Sequence, residues 1–312
     1  MAKDGPTCTR CDRKAVYHRK YEGTYLCSTH FLASVEDKVR KTIRKGKMID
    51  RGDIVAFALS GGKDSSSALY MIHRLFGRRR DLRFFAITID EGIPGYRDES
   101  LKIAKRLCKK LRVKHHVFTF ESEFGRFLED VVKKLKKSDR WEGTACTYCG
   151  LARRWLLNRK ARELGATKIL FGMNLDDEVQ GIMMDYIRGD LVRLSRMGGE
   201  PIVQSRLFVP RIKPFREIPE REIGLYALLS GLKIQENECP FIEGPRFRVR
   251  DFINSLEADS PGTKFSILNT FYRLVPCVRE LVKQVGVELV RCEKCGEPSS
   301  QKICKTCELW RK

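Results

Sequence analysis

Short apolar runs alternate with longer stretches of mixed polarity through the middle of the chain. Residues 54–59, 84–89, 116–120 and 168–171 are mostly apolar and short, as strands buried on both faces are. Residues 65–76, 99–111, 124–135, 149–164 and 176–187 instead space their apolar positions for helices with one buried face. Beyond them, residues 207–215 predict a further strand, 217–230 a helix and 246–257 a basic helix, and a basic helical stretch at 32–48 leads into this body. Strand and helix in alternation predict an α/β fold with a parallel sheet and helices on both faces. Ligands on such sheets sit beyond the carboxyl ends of the strands. Ser60 to Ser65, Asp90 and the stretch from Gly172 to Asp177 all fall there, so one cleft is expected to collect them.

Composition narrows the class of partner. Sixty-one Lys and Arg against forty Asp and Glu leave a formal charge of +21, spread along most of the chain. So large an excess repels itself unless a polyanion neutralises it, which points to nucleic acid rather than to a set of solvated faces. Apolar residues are 42% of the 312, with no run near the roughly twenty needed to cross a bilayer, so no membrane association is expected. The start, Met1 to Pro6, lacks the apolar core of a secretory signal, and Cys-x-x-Cys pairs suit a reducing compartment, so the expected location is cytoplasmic.

Ten of the twelve cysteines form three groups. Cys8-x-x-Cys11 with Cys27-x-x-His30, and Cys292-x-x-Cys295 with Cys304-x-x-Cys307, each supply four ligands for a closed tetrahedral zinc site. Cys146-x-x-Cys149 stands alone, and with the distant Cys239 it makes three thiolates, one short of closure. By itself the pair is also compatible with a redox couple or a structural role. Cys108 and Cys277 are left over and expected as small buried hydrophobes.

The loop Ser60-Gly61-Gly62-Lys63-Asp64-Ser65 follows a strand and opens a helix. Glycines let the backbone approach an anion, and the helix start offers free N–H groups, so a triphosphate fits. The Walker spacing is absent, which disfavours an ordinary P-loop NTPase. Asp176 and Asp177 begin another helix; Asp176 reads equally well as its cap, whereas Asp177 reads as a carboxylate that holds magnesium or manages a proton near the triphosphate.

The loop resembles that of the PP-loop ATP pyrophosphatases, and the ordered set of motifs is more specific. The loop, Cys146-x-x-Cys149-Gly150-x-x-Arg153-Arg154, Gly172-x-Asn174-x-Asp176-Asp177-Glu178, Lys213-Pro214-Phe215, Glu238-Cys239-Pro240 and both terminal frames occur as in the tRNA 2-thiouridine synthetases. The branch is that of the archaeal and eukaryotic cytosolic 2-thiolation proteins and their thermophile ribothymidine-thiolating relatives. The resemblance implies an adenine nucleotide alpha hydrolase-like sheet with five parts. These are a zinc module at 1–32, a connector helix at 33–50, the catalytic domain at 51–244, a basic helical region at 245–290 and a zinc ribbon at 291–312.

The resemblance also implies a 4Fe-4S cluster on Cys146, Cys149 and Cys239, its fourth iron free of protein and able to carry sulfide. ATP, with Mg2+, would be surrounded by Ala58, Ser60, Gly61, Gly62, Lys63, Asp64, Ser65, Ile89, Arg153, Gly172 and Asp177. Asp64, Arg153 and Asp177 would assist activation. Some relatives carry lysine where this chain has Arg153; a planar fork keeps the electrostatic role but not proton transfer. The implied reaction adenylates the C2 oxygen of a uridine and replaces it with sulfur. The implied partners are tRNA, a second copy of the chain, and a sulfur donor that is a ubiquitin-like thiocarboxylate, sulfide or persulfide. The wobble uridine 34 is favoured over the T-loop uridine 54. Two rivals stay open: a cluster-free enzyme using Cys146 and Cys149 as a persulfide pair, and a zinc-ribbon RNA-binding protein with a regulatory ATP site.

Overall fold

The computed structural model describes residues 5–136, 144–197, 207–242, 244–284 and 290–310. A small antiparallel hairpin, β1 (Tyr17–Arg19) and β2 (Thr24–Leu26), precedes the long helix α1 (Ser28–Lys45). There follow β3 (Ile54–Ala58), α2 (Lys63–Phe76), β4 (Arg83–Asp90), α3 (Arg97–Leu111), β5 (Lys114–Thr119), α4 (Phe120–Phe124), α5 (Leu128–Lys136), α6 (Ala145–Glu163), β6 (Lys168–Leu170), α7 (Leu175–Ile187), α8 (Leu191–Arg196) and β7 (Arg211–Ile212). The chain closes with α9 (Glu220–Leu229), α10 (Arg246–Asp259), α11 (Thr263–Gln284), the hairpin β8 (Val290–Arg291) with β9 (Pro298–Ser299), and α12 (Lys305–Trp310).

Five strands form one parallel sheet in the order β5-β4-β3-β6-β7. The apolar run at its centre serves two cores at once. Val55, Phe57 and Leu59 face a core shared with α1, α2 and α9, while Ala56 faces one built with α5, α6 and α12, and Ile54 and Ala58 pack against it. That two-sided burial is why these strands read as continuous rather than alternating hydrophobic segments. The order reverses direction between β3 and β6, and the crevice there is the expected ligand position.

Several boundaries differ from the sequence reading. The strand expected over 207–215 pairs only at Arg211–Ile212, between Pro210 and Pro214; proline has no N–H for the ladder, and β7 lies at the sheet edge. The helix expected over 124–135 starts only at Leu128, because Gly125, with φ 68°, ends a separate short helix, α4, at Phe124. The helix expected from 149 starts at Ala145, and the one expected from 217 starts at Glu220 behind Pro219. The helices α10 and α11 pack with α7 and α8 in a third core around Val179, Ile182, Leu268 and Phe271. Cys108 is buried as expected; Cys277, on α11, is exposed.

Candidate active site

The phosphate-type loop is shaped by close backbone approaches. Gly61 has φ 86°, and a Cβ there would stand 2.2 Å from the Ser100 carbonyl oxygen. A Cβ on Gly172 would stand 2.5 Å from the Asp64 carbonyl oxygen and 2.9 Å from the Ser65 nitrogen, so the end of β6 lies directly on the start of α2. The Ser60 N–H donates to Ser65 Oγ at 3.1 Å, closing the loop on itself.

Between the ends of β3, β4 and β6 lies a cavity of about 290 Å³. Ala58, Ser60, Asp64 and Ser65 line it from the loop side, Ile89 from β4, Arg153 from α6, and Gly172 and Asp177 from the β6–α7 turn. Gly61, Gly62 and Lys63 do not line it: the glycines turn the backbone, and the Lys63 ammonium is hydrogen-bonded to Glu220 on α9. Leu59, Ile87, Leu157 and Phe171 supply apolar wall that the motifs did not mark. Burial pushes the Asp64 carboxyl up to about 6, with Asp177 and Glu220 adding to the effect against Lys63 and the Asn174 amide, which donates at 3.1 Å.

The two adjacent aspartates at the start of α7 have different jobs. Asn174, not Asp176, caps the helix by accepting the Asp177 N–H at 3.0 Å, and Asp177 Oδ2 accepts the Asn174 N–H in return. The second Asp177 oxygen accepts from Arg246 of α10 at 2.6 Å, and Arg246 also donates to Gln180 at 2.8 Å. Asp176 is buried, accepting the Glu220 N–H at 2.8 Å and the ammonium of Lys264, so it anchors α9 and α11 to α7. Sequence reasoning missed Arg246 and Lys264, whose partners lie far away along the chain.

Cys146 and Cys149 occupy the first turn of α6 instead of preceding it, behind the capping box of Thr144 and Thr147. Cys146 is exposed and its thiol donates to the Phe241 carbonyl at 3.5 Å; Cys149 and Cys239 are half-buried and pack on the same core as Phe241. The three residues thus converge, yet their sulfurs are not mutually within 4.8 Å, unlike the two four-ligand groups. One ion asks for sulfurs in near contact; a cluster of several irons, each taking one thiolate, accommodates a wider set. The residues fit such a cluster. Burial pushes the Cys149 thiol up to about 12 when no metal is bound, with Glu91 adding to it.

Glu91 is a third residue missed. It follows β4, is fully buried, and joins two arginines: Arg97 donates to it at 2.6 Å and Arg153 lies 3.0 Å away. Arg97 also donates to the Ser60 carbonyl at 3.0 Å. The acidic residue singled out in the sequence, Asp90, instead accepts the Gly92 N–H in a tight turn.

The terminal frames are compact. Zinc–sulfur bonds of about 2.3 Å in a tetrahedron place sulfurs about 3.8 Å apart. Cys11 and Cys27 sulfurs are 3.8 Å apart, and His30 Nδ1 lies 3.3 Å from Cys8 and 3.5 Å from Cys27. Cys295 and Cys304 sulfurs are 3.7 Å apart. Burial disfavours the thiolate in each, but N–H donors from Cys27 and Arg10 hold Cys8 down to about 6, and those of Cys304, Cys295 and Lys294 do the same for Cys292. Both groups fit one tetrahedral ion. The first is strapped to α9 by a buried pair in which Arg19 donates twice to Glu222, at 2.9 and 2.6 Å. The second is set into the core through Trp310, which meets Phe120 and Phe124 with ring centroids 4.8 and 5.0 Å apart.

Comparison with known proteins agrees with this arrangement. Residues 7–32 match the model of the N-terminal LIM domain of the 2-thiouridine synthetase TtuA, and residues 32–253 match the PP-loop domain. The tRNA 2-thiolation protein NcsA of Haloferax volcanii is 39% identical, over 97% of each chain. The tRNA-5-methyluridine(54) 2-sulfurtransferase of Pyrococcus horikoshii is 31% identical over 97% of this chain and 93% of its own. Among solved structures, the U34-tRNA thiolase NcsA of Methanococcus maripaludis, described with its [4Fe-4S] cluster, superposes with a TM-score of 0.82 at 30% identity, covering 100% of this chain and 97% of that one. A full-length match of this kind, on a sheet whose switch-point cavity is shared by the phosphate-type loop and the cysteine helix, establishes that the chain belongs to the PP-loop tRNA 2-thiolation enzymes.

Proposed function

We propose that the chain converts uridine 34 of tRNA to 2-thiouridine, using ATP to activate the C2 oxygen. The supporting observation is that α6 carries two of the three thiols in its first turn and, through Gly150 and Arg153, walls the cavity that also holds the phosphate-type loop. The loop and the start of α2 would bind the triphosphate, with its bound Mg2+ held by Asp64 and Asp177. The uridine C2 oxygen forms a bond to the α-phosphorus, its N3 proton leaves to solvent, and pyrophosphate departs. A sulfur nucleophile then bonds to C2, AMP leaves with the former C2 oxygen, and N3 regains a proton. Arg153 would offset negative charge at the α-phosphate, held in place by Glu91. Cys146, Cys149 and Cys239 would hold a 4Fe-4S cluster that would carry the transferred sulfur, received from a thiocarboxylated ubiquitin-like protein or sulfide, or from a persulfide with a thiol as two-electron reductant. Zinc would fill the two tetrahedral frames.

Position 34 is favoured because a solved U34-tRNA thiolase superposes over the whole chain with a TM-score of 0.82, and the haloarchaeal relative at 39% identity shares its NcsA name. The test uses anaerobically purified protein with tRNA, ATP and sulfide, the product mapped by mass spectrometry of nuclease fragments. Sulfur at position 34, with AMP and pyrophosphate formed in step, is the expected result. Sulfur at position 54, or thiolation at full rate by protein without iron, would overturn the corresponding part of the reading.

A further inference from the structure

The cavity rim carries positive charge that the protein does not itself neutralise. Arg153 and Arg154 of α6 line it, and Arg193 of α8 and Arg211 of β7 lie beside them, close enough to repel Arg154. Two have carboxylate partners, Arg153 with Glu91 at 3.0 Å and Arg193 with Asp190 at 3.2 Å. Among the described residues, Arg154 and Arg211 have none.

One unpartnered side chain lines the cavity and the other stands on its wall. Arg154 lines it, and Gly150, one turn earlier on α6, leaves room for the guanidinium, whose nearest nitrogen lies 3.3 Å from where a Cβ would stand. Arg211 lies over the ring of Phe171, 5.7 Å from its centroid, and Phe171 is itself cavity wall. Like charges that only sought water would spread apart; a pair kept together, one stacked and one fitted into a glycine notch, is arranged to meet an anion. The nucleotide phosphates already have the loop and the start of α2 on another wall. A second anionic group is therefore the better match, and guanidinium forks suit the two free oxygens of a phosphodiester.

We propose that Arg154 and Arg211 grip a backbone phosphate of the tRNA next to the nucleotide whose base enters the cavity, fixing its register. Phosphate contacts of this kind position a nucleic acid without reading its sequence. The inference rests on the tRNA-thiolation reading above.

The test compares wild type with the double variant Arg154→Gln/Arg211→Gln, measuring tRNA affinity across a salt series and, separately, the affinity for a non-hydrolysable ATP analogue. Loss of two phosphate-facing charges is expected to weaken tRNA binding about tenfold near 0.1 M salt and to lower the slope of log K against log salt by about 1 to 2. Analogue binding is expected to stay unchanged. The double lysine variant is expected to restore the slope, which a merely structural role would not do. Weaker analogue binding with an unaltered tRNA slope would assign the pair to the nucleotide and overturn the proposal. No change in either measurement would show a solvated rim and overturn it as well. Failure of the wild type itself to bind tRNA would instead sink the thiolation reading, and this inference with it.

Discussion

The terminal frames and the central cysteines use the same ligand chemistry to opposite ends. In each frame four ligand atoms crowd together, with sulfur separations of 3.7 and 3.8 Å, and neither frame lines the cavity: the first is strapped to α9, and the second is set in the aromatic core around Trp310, whose indole N–H donates to the Tyr148 carbonyl of α6. The central trio is spread wider, keeps one thiol exposed, and sits on a helix that walls the cavity. Closure gives a frame that stabilises; incompleteness beside a cleft gives a site with room for a reactant. The difference predicts that the two kinds of cysteine fail in different currencies, one in stability and one in turnover.

The sharpest break of the comparison is Cys239→Ala. Iron and thiolation are expected to be lost together, by about a hundredfold or more in rate, while both tetrahedral sites keep their metal and the melting temperature barely moves. Metal analysis beside a thiolation assay checks this, and retained activity would end the assignment of Cys239. Cys307→Ala is expected to do the reverse. Cys307 is fully buried beside Trp310 in the sheet's own core, so its loss should cost about 3 kcal/mol or more in chemical denaturation, with turnover per folded molecule near wild type.

Asp64→Asn gives the smallest effect and separates the two currencies within one residue. The folded carboxyl sits near 6 against an ordinary 3.8, so between those values the folded state binds the proton more tightly and stability falls as pH rises. Above pH 6 the ionised, buried Asp64 is a full cost. The variant should therefore melt higher than wild type at pH 7.5 in Mg2+-free buffer, by about 1 kcal/mol, with the gain vanishing as pH falls below 4. Its ATP-dependent turnover should nevertheless drop. A lower melting temperature at pH 7.5 would contradict the sign.

What the sequence displayed and what it hid follow from range. The central strands were legible because burial on both faces leaves an unbroken apolar run, and the frames because ligand spacing is local. The loop was legible for the same reason, since its glycines act within a few residues. The short β7 was not, because the chain looks apolar from 207 to 215 while Pro210 and Pro214 set how much of it can pair. The early start of α6 was signalled only by Thr144, a cap that competes with an adjacent glycine for attention. Glu91, Arg246 and Lys264 left no periodic trace at all: each matters through a partner brought near by folding, such as the 88 positions that separate Lys264 from Asp176. The unmatched charges of Arg154 and Arg211 were hidden likewise, since an excess of cations in composition does not say which of them go unpaired.

Glu91 has one further bearing on how the halves of the cavity behave. One of its oxygens faces Arg97, which holds the Ser60 carbonyl, and the other faces Arg153 on the helix of Cys146 and Cys149. A carboxylate sealed from water cannot trade either arginine for solvent, so it cannot follow both if they part. The phosphate-type loop and the cysteine helix are in that sense two arms of one balance with Glu91 as the pivot. Whatever loading the cysteine arm does to nucleotide affinity, filling the nucleotide arm must do, by the same factor, to retention of the group on the cysteines.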